Sequence, residues 1–399
     1  MKIQINNFEE LILALICIAG EVDEEYLFQR LPNSILNPYD YTYAKRTLRR
    51  MADEKLINKK EYRGSRRKYL RLSKIRGDNA ASSLSREMMP HFYLLAGDEN
   101  NRYKGTGATL LRKKSQSLLT LSHILDGVPV DNLVLDTEKG EGMESEFLDS
   151  IFTEKGKLKE PKEIIERLDP GRIHYLTSNA LRGASKASGI FKGNSRYSGV
   201  LVAYPKVYIT YFLSYAASTW TMAEEQIKLL IGIYASGIKE GMDETPAAIM
   251  YFPSIEVMSE FLNFREEVKR ERGHRRQLNP REVYAEAYFL PLSENYSQIR
   301  EFLIMDRGEE KLNKVALENA YTPGKEYDGM VSGCKIYNLL LMDFCKISRI
   351  RSKVREEDSI IVIHRWAEKM MREYFGEETR IITVEKNEFM EYLEAAYSI

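Results

Sequence analysis

The sequence predicts an α+β protein that consists of an N-terminal winged helix-turn-helix, a helical connector and a C-terminal mixed α/β sheet domain. Residues 42–53 have the apolar spacing of an amphipathic helix, and a basic two-stranded hairpin pattern follows directly. From about residue 171 onward, apolar β-rich runs alternate with helical patterns, as is typical of an α/β sheet. We therefore place the domains at residues 1–76, 77–170 and 171–399.

The composition is that of an ordinary globular protein. The 399 residues, 43% of them apolar and 30% charged, are enough for two or three domains. The longest apolar run, Leu11–Gly20, is too short to span a bilayer, and two glutamates precede it where a signal peptide would carry Lys or Arg. The three cysteines are scattered without a CxxC pair, so neither a disulfide framework nor a zinc site is predicted. We expect a cytoplasmic protein with no membrane partner.

The net charge of zero conceals one strongly basic region. Residues 40–76 contain 14 Lys and Arg against four acidic residues, a local excess of ten positive charges in a neutral chain. Positive charge concentrated on one small module is the electrostatic signature of a protein that binds a polyanion, most often nucleic acid. A solvated basic surface without a ligand is the alternative that charge alone leaves open.

The helical pattern at residues 42–53 separates the cations from the apolar residues. At 100° per residue, Ala44, Leu48 and Met51 fall on one side of the helix. The opposite stripe is almost entirely cationic and consists of Thr42, Lys45, Arg46, Arg49 and Asp53. Tyr43 and Arg50 lie at its edge. Two other helical patterns precede this one, at residues 7–19 and 23–32.

A basic hairpin pattern follows the cationic helix. In "LINKKEYRGSRRKYLRLS", Gly64 supplies the turn, and Leu70 and Leu72 alternate with polar neighbours as in a half-buried strand. Helix, helix, cationic helix and hairpin is the element order of a winged helix-turn-helix. That fold predicts duplex DNA as the ligand, with the third helix in the major groove and the wing on the adjacent backbone. The predicted DNA-binding residues are Thr42, Tyr43, Lys45, Arg46, Arg49, Arg50, Arg63, Arg66, Arg67 and Lys68. Some winged helices bind only proteins, which remains the alternative.

The C-terminal region shows eight strand patterns, several of which are followed by helical ones. The predicted strands are "RIHYLT", "YSGVLVA", "KVYITYFL", "AAIMYFP", "AYFLPL", "KIYNLLLMDF", "SIIVIHRW" and "RIITVEK". The predicted helices are "SIEVMSEFLNFREEVKRE", "YSQIREFLIM", "AEKMMREYFG" and "NEFMEYLEAAY". This alternation predicts a mixed or parallel sheet with helices packed against it.

No catalytic, metal-binding or cofactor-binding residues are predicted. The five histidines are dispersed, without the HxH or HExxH spacing of a metal site. A magnesium-dependent nuclease would need an acid-x-Lys pair on one strand. The arrangement that comes nearest to this layout is Asp343 and Lys346, which follow Asp328 in the sequence. A spacing of three residues, however, places the side chains of Asp343 and Lys346 on opposite faces of a strand. We therefore expect these three side chains to be replaceable with only a modest effect on stability.

The chain resembles the replication-relaxation proteins, which occur on plasmids, integrative elements and phages of Gram-positive bacteria. The resemblance rests on the winged-helix pattern that ends in "RRKYLRLS", on "SRYSGVL" (Ser195–Leu201) and on "YDG" (Tyr327–Gly329). It implies a degenerate nuclease-like C-terminal region and a role in plasmid replication or in processing DNA at a transfer or replication origin. No catalytic motif of the family can be assigned to residues of this chain.

The expected function is therefore that of a non-enzymatic DNA-binding accessory protein of a plasmid or integrative mobile element, acting at an origin of replication or conjugative transfer. Double-stranded DNA is the expected ligand, and relaxase or replication proteins and a second copy in a homodimer are the expected protein partners. Two alternatives stay open: a metal-dependent nuclease targeted by the winged helix, and a transcriptional regulator whose α/β half binds a ligand or mediates dimerisation.

Overall fold

A computed structural model of the chain shows an α+β protein with mixed sheets, which confirms the predicted class. It describes residues 9, 12, 13, 16, 22–30, 41–61, 68–72, 118–123, 173–177, 197–213, 222–238, 245–263, 280–292, 296–304, 308–356 and 358–399. The chain divides into two units. The first comprises Met1–Asp169, Ile173–Lys192 and Ser198–Val200, and the second comprises Pro170–Arg172, Gly193–Tyr197 and Leu201–Ile399.

The N-terminal part of the first unit is a small module of helices on an antiparallel sheet. Its elements are β1 (Val22–Asp23), α1 (Glu24–Arg30), α2 (Tyr41–Asp53), β2 (Ile57–Glu61) and β3 (Lys68–Leu72). The strand order is β1-β3-β2, so β3 lies in the centre and pairs with both neighbours. Four residues that precede β1 are helical and buried: Glu9, Ile12, Leu13 and Ile16.

Local sequence explains where the helices of this module begin and end. Asp23 accepts a hydrogen bond from the backbone N–H of Tyr26 through Oδ1 at 3.0 Å, which satisfies one of the free donors at the start of α1. After α2, Lys55 adopts a left-handed conformation with φ of 58°, and the N–H of Leu56 donates to the carbonyl of Met51. The chain thereby turns from α2 directly into β2.

Little of the predicted connector at residues 77–170 falls within the described residues. Residues 118–123 are helical, and His123 at their end is buried. The His123 ring stacks on Tyr175 of β4 (Ile173–Thr177) with centroids 4.1 Å apart, and its Nδ1 lies 2.8 Å from the carbonyl oxygen of Leu119. His123 is therefore a packed structural residue.

The first sheet of the C-terminal region has the strand order β4-β5-β6-β7-β8. Strands β6, β7 and β8 are parallel, and most of their buried side chains are aromatic or aliphatic. The further strands are β5 (Tyr197–Ala203), β6 (Lys206–Phe212), β7 (Ala247–Phe252) and β8 (Ala287–Pro291). The helices between and after them are α3 (Met222–Ile238), α4 (Ile255–Asn263), α5 (Pro280–Val283) and α6 (Tyr296–Ile304).

The second sheet is formed by the last part of the chain and has the strand order β12-β11-β10-β9. Its central strands are parallel, and β9 pairs antiparallel with β10. The strands are β9 (Gly329–Val331), β10 (Cys334–Asn338), β11 (Ser359–His364) and β12 (Arg380–Val384). The helices are α7 (Glu309–Leu317), α8 (Phe344–Glu356), α9 (Glu368–Phe375) and α10 (Lys386–Ser398).

The segment that follows β10 connects the two sheets. The N–H of Phe289 in β8 donates to the carbonyl of Met342 at 3.0 Å, and Tyr288 forms an isolated antiparallel bridge with Asp343. The ring of Phe289 stacks on Phe344 at a centroid distance of 4.6 Å and a plane angle of 4°. Backbone pairing and aromatic packing thus hold this segment against the edge of β8.

The predicted strand "KIYNLLLMDF" is wrong in its second half. The strand β10 ends at Asn338, and Phe344 already belongs to α8. The short strands β1 and β9 and the helices α3, α5, α7 and α8 were not predicted. The other seven predicted strands coincide with observed strands to within two residues at either end. Within the part of the chain that the structure describes, no helix combines the length and the apolar character needed to cross a membrane.

Candidate nucleic-acid interface

Helix α2 has one buried face and one exposed face, as its spacing predicts. Ala44, Leu48 and Met51 are each at most 1% exposed and pack into the module. The opposite face carries the exposed residues Thr42, Tyr43, Lys45, Arg46, Arg49, Arg50 and Asp53. The helix therefore holds its cations toward solvent by burying the other side.

The exposed face of α2 lines a groove with a volume of about 930 Å³. Lys59 of β2 and Lys68 of β3 contribute two further ammonium groups to its lining. The residues that α2 contributes are Tyr41, Thr42, Lys45, Arg46 and Arg49. Five of the ten predicted DNA-binding residues, Lys68 among them, thus share one concave surface.

Two aromatic rings lie at the α1 side of this groove. Phe28 and Tyr41 pack with ring centroids 5.0 Å apart, and the Tyr41 side chain remains 51% exposed. The ammonium of Lys45 lies 5.7 Å from the centroid of the Tyr41 ring, within the range of a cation–π interaction. Neither ring was predicted as part of the site. Tyr41 lies one position outside the cationic stripe, and Phe28 belongs to a different helix, so neither has a distinctive spacing signal.

Arg50 forms an ion pair with Glu9 within the module. Its Nε donates to Oε1 of Glu9 at 3.0 Å, and its Nη2 contacts the same oxygen. Glu9 is 1% exposed, so this pair ties the first helical segment to α2. The hydrogen bond with Glu9 raises the pKa of Arg50 despite an opposing contribution from burial. A role in binding DNA would be additional to this structural role.

Most of the predicted wing lies outside the described residues, including Arg63, Arg66 and Arg67. The two strands that lead into and out of it are described, and their register pairs Glu61 with Lys68. Lys68 is exposed at the start of β3. Of the predicted wing residues, Lys68 is therefore the one that the described part of the chain places on the groove.

In the C-terminal unit, Asp343 and Lys346 were expected on a strand. Asp343 instead precedes helix α8, and Lys346 lies within it. Lys346 lies in the first turn of α8 and is 8% exposed. Its Nζ donates to Oδ2 of Asp328 at 2.7 Å, to the carbonyl of Asn338 at 2.9 Å, and to Glu309. Burial by itself lowers the pKa of Lys346, but the carboxylates of Glu309 and Asp328 outweigh it and raise that pKa. All three protons of the ammonium are therefore taken by acceptors within the protein.

Asp328 is equally well satisfied. Its Oδ1 accepts from Nδ2 of Asn313 at 3.1 Å, and its Oδ2 accepts from the backbone N–H of Asn338 at 2.7 Å in addition to Lys346. Asn338 also donates through Nδ2 to Oδ1 of Asn313 at 2.8 Å. The cluster is a closed polar network, which gives Asp328 and Lys346 a structural role.

Asp343 takes no part in that network. It precedes α8, and its Oδ1 accepts from the N–H of Cys345 at 3.0 Å and from the N–H of Ala287 in β8 at 3.1 Å. Burial raises its pKa to about 6, although both backbone hydrogen bonds oppose that shift. Because Asp343 and Lys346 stand at the beginning of a helix, the strand-face argument made for them from the sequence was wrong.

Within the described residues, no group of three or more His, Cys, Asp and Glu side chains is placed to hold a metal ion. Cys334 and Cys345 are free, buried thiols. Comparison with known proteins found no family model, no curated protein and no solved structure that matches this chain.

Proposed function

We propose that the protein is a cytoplasmic, non-enzymatic DNA-binding accessory protein of a plasmid or integrative mobile element, whose N-terminal module binds duplex DNA. The observation that carries the proposal is the face of α2, where Lys45, Arg46 and Arg49 are exposed together while the opposite face is core. Cations held on one exposed helix face contact phosphates and base edges in the major groove of DNA.

The topology of the module supports this assignment. A short strand, two helices and a two-stranded hairpin follow one another, and the strand order β1-β3-β2 is that expected of a winged helix-turn-helix. In that fold the helix before the hairpin is the recognition helix, and this is the position of α2. The hairpin would then lie beside the adjacent DNA backbone.

The C-terminal unit is assigned to binding partner proteins or a second copy of the chain. The nuclease alternative is disfavoured because Asp328 and Lys346, the acid and lysine it would use, are neutralised by each other and by Glu309. The action at an origin of replication or transfer rests on the resemblance to replication-relaxation proteins.

Duplex DNA affinity, measured by fluorescence anisotropy over a range of salt concentrations, tests the proposal. The variant Arg46→Ala/Arg49→Ala should bind at least tenfold more weakly, and its plot of log K against log salt should be shallower by about two counterions. The matched control is Lys325→Ala/Lys386→Ala, which removes two exposed cations from the C-terminal unit. Equal affinities of the two double variants would contradict the proposal.

The role at an origin needs its own test, because a DNA-binding module alone does not define one. Selection from random-sequence duplexes should return a preferred site. That site should recur in the origin region of the element that encodes the protein, and a preferred site confined to promoters would favour a transcriptional regulator instead.

A further inference from the structure

The C-terminal unit contains a cavity lined by residues of β6, β8, α6, α7 and α8 and of the segments next to them. Its volume is about 330 Å³, which is within the range of pockets that bind small molecules. All of its lining residues belong to the second unit. The charged residues of the lining are Lys206, Glu286, Glu309, Asp343 and Arg349.

Two of the three acidic residues in the lining are already paired with a lysine. Oε2 of Glu286 accepts from Nζ of Lys206 at 3.0 Å and from the Tyr288 hydroxyl at 2.7 Å. Glu309 forms an ion pair with Lys346. In each case the lysine offsets the attraction that the carboxylate would exert on a positively charged ligand.

Asp343 is the acidic residue of the lining that forms no ion pair with any described residue. Its carboxyl group accepts two hydrogen bonds, from the N–H groups of Cys345 and Ala287, and both end on Oδ1. These bonds fix the orientation of the carboxyl group, while Oδ2 accepts no hydrogen bond from the described part of the chain. Burial raises the pKa of Asp343 to about 6, so the group is still mainly ionised at pH 7.5. Asp343 thus offers a ligand a positioned acceptor that carries a negative charge.

Arg349 of α8 supplies a charge of the opposite sign. Its side chain is exposed, lines the same cavity and forms no hydrogen bond or ion pair with the residues that the structure describes. Guanidinium groups bind carboxylates through paired hydrogen bonds. A ligand that matches both Asp343 and Arg349 therefore carries one ammonium group and one acid group.

Three other ligand classes fit this lining less well. The described carboxyl groups are not placed to hold a metal ion. A polyamine would bring a second positive charge toward Lys206 and Arg349, which line the same cavity. A phosphate group carries up to about two negative charges, which the three carboxyl groups of the lining would repel. A compound with one ammonium group and one carboxylate avoids these conflicts.

We infer that this cavity binds a small aliphatic amino acid, whose ammonium group donates to Oδ2 of Asp343 and whose carboxylate contacts Arg349. The rings of Tyr208 and Tyr288, with centroids 6.2 Å apart, also line the cavity and supply apolar contact for the carbon chain. This activity belongs to the C-terminal unit and does not depend on DNA binding by the N-terminal module.

Isothermal titration calorimetry of the full-length protein at pH 7.5 tests the inference. The probes are glycine, alanine and the unbranched ω-amino acids of up to six carbons, because the chain length sets the distance that a ligand spans between Asp343 and Arg349. At least one probe should bind with a Kd of about 1 mM or tighter. The alkylamine and the carboxylate of the same length should each bind at least fivefold more weakly.

Two variants test the assigned contacts. Asp343→Asn can still accept both backbone hydrogen bonds, and Arg349→Gln changes an exposed side chain, so both should keep the wild-type melting temperature to within a few degrees at pH 7.5. Each should weaken binding of the best probe at least tenfold. The matched controls are Asp358→Asn and Arg365→Gln, which neutralise exposed charges outside the cavity and should bind that probe as the wild type does.

Three results would overturn the inference. One is that none of the probes binds the wild type saturably. Another is that the cavity variants bind as tightly as their controls, which would place the probe elsewhere on the chain. The third is that the alkylamine binds as tightly as the amino acid, which would remove Arg349 from the site. If Asp343→Asn fails to fold, Arg349→Gln alone decides between these results.

Discussion

Nζ of Lys346 lies 2.7 Å from Oδ2 of Asp328, and this ion pair joins the first turn of α8 to the residue that precedes β9. Both side chains are largely buried, at 10% and 14% exposure. The pair belongs to a network with Asn313 and Asn338 that leaves neither charge unsatisfied. The expectation from the sequence that these residues could be replaced with little effect on stability is therefore reversed.

The first prediction concerns this pair. Asp328→Asn should lower the free energy of unfolding by about 3 kcal/mol, because it leaves a buried ammonium with one carboxylate fewer. In a double-mutant cycle with Lys346→Gln, the two losses should be clearly less than additive. Chemical denaturation measures both quantities. Additive losses would show that the two side chains are not energetically coupled.

A second prediction concerns Gly329. A Cβ atom at this position would lie 2.6 Å from the carbonyl oxygen of Ala320 and 3.1 Å from a methyl carbon of Leu317. Gly329→Ala should therefore destabilise the protein by about 2 kcal/mol, since backbone must shift to admit the methyl group. Gly308→Ala is the control, because a Cβ there meets no atom within 4 Å. We expect it to change stability by less than about 1 kcal/mol, and equal losses would refute the steric explanation.

The third prediction is the pH dependence that Asp343 contributes. Its folded-state pKa of about 6 exceeds the ordinary value of 3.8, so the folded protein binds the proton more tightly than the unfolded chain. The stability from this group is fully present below pH 3.8 and is lost as the pH rises through about 6. Because the carboxyl group is only partly buried, we expect a loss of roughly 2 kcal/mol. Asp343→Asn should abolish this component in denaturation curves recorded between pH 4 and 7.

His364 should give the opposite pH dependence. It is 1% exposed, and burial lowers its pKa to about 4, while a hydrogen bond of 2.7 Å between Nε2 and the carbonyl of Leu340 partly opposes that shift. The stability from neutral His364 is present above pH 6.5 and is lost as the pH falls through about 4. His364→Gln should be less stable than the wild type at pH 7 but should lose less stability on acidification. If this variant loses as much stability on acidification as the wild type does, the loss is due to the titration of another group.

The fifth prediction concerns the wing. Replacing Arg66, Arg67 and Lys68 with alanine should weaken binding to all duplexes alike and flatten the salt dependence by up to about three counterions. Sequence preference should stay as in the wild type, because phosphate contacts carry no base information. Competition binding with selected and scrambled duplexes measures the preference. An unchanged salt slope would remove the wing from the interface.

Helix α2 was predictable because its period is visible over several turns and its apolar and cationic residues never share a face. Helix α8 also carries a helical period, since its apolar residues Ile347, Ile350 and Val354 are spaced three and four apart and are buried. The apolar run Leu339–Met342 obscured it, because such a run fits the end of a strand equally well. β9 was missed because three residues are too few to show an alternation.

The cations that α2 contributes to the candidate interface were also predictable, since they lie within a few turns of one helix. The position of Glu24 and Glu25 on the same groove was not predictable, because both look like ordinary residues for a helix start until tertiary packing places them there. Arg50 is a similar case. Its partner Glu9 precedes it by 41 residues, and no local pattern connects two such distant positions.

The pairing of Met342 and Asp343 with β8 has a consequence for solubility. β8 is the last strand in the order of its sheet, and a strand in that position offers unpaired N–H and C=O groups to any other extended chain. The N–H groups of Phe289 and Ala287 are instead occupied by the carbonyl of Met342 and the carboxylate of Asp343. The segment that connects the two sheets thus also covers the edge of β8 and keeps it from pairing with strands of neighbouring molecules.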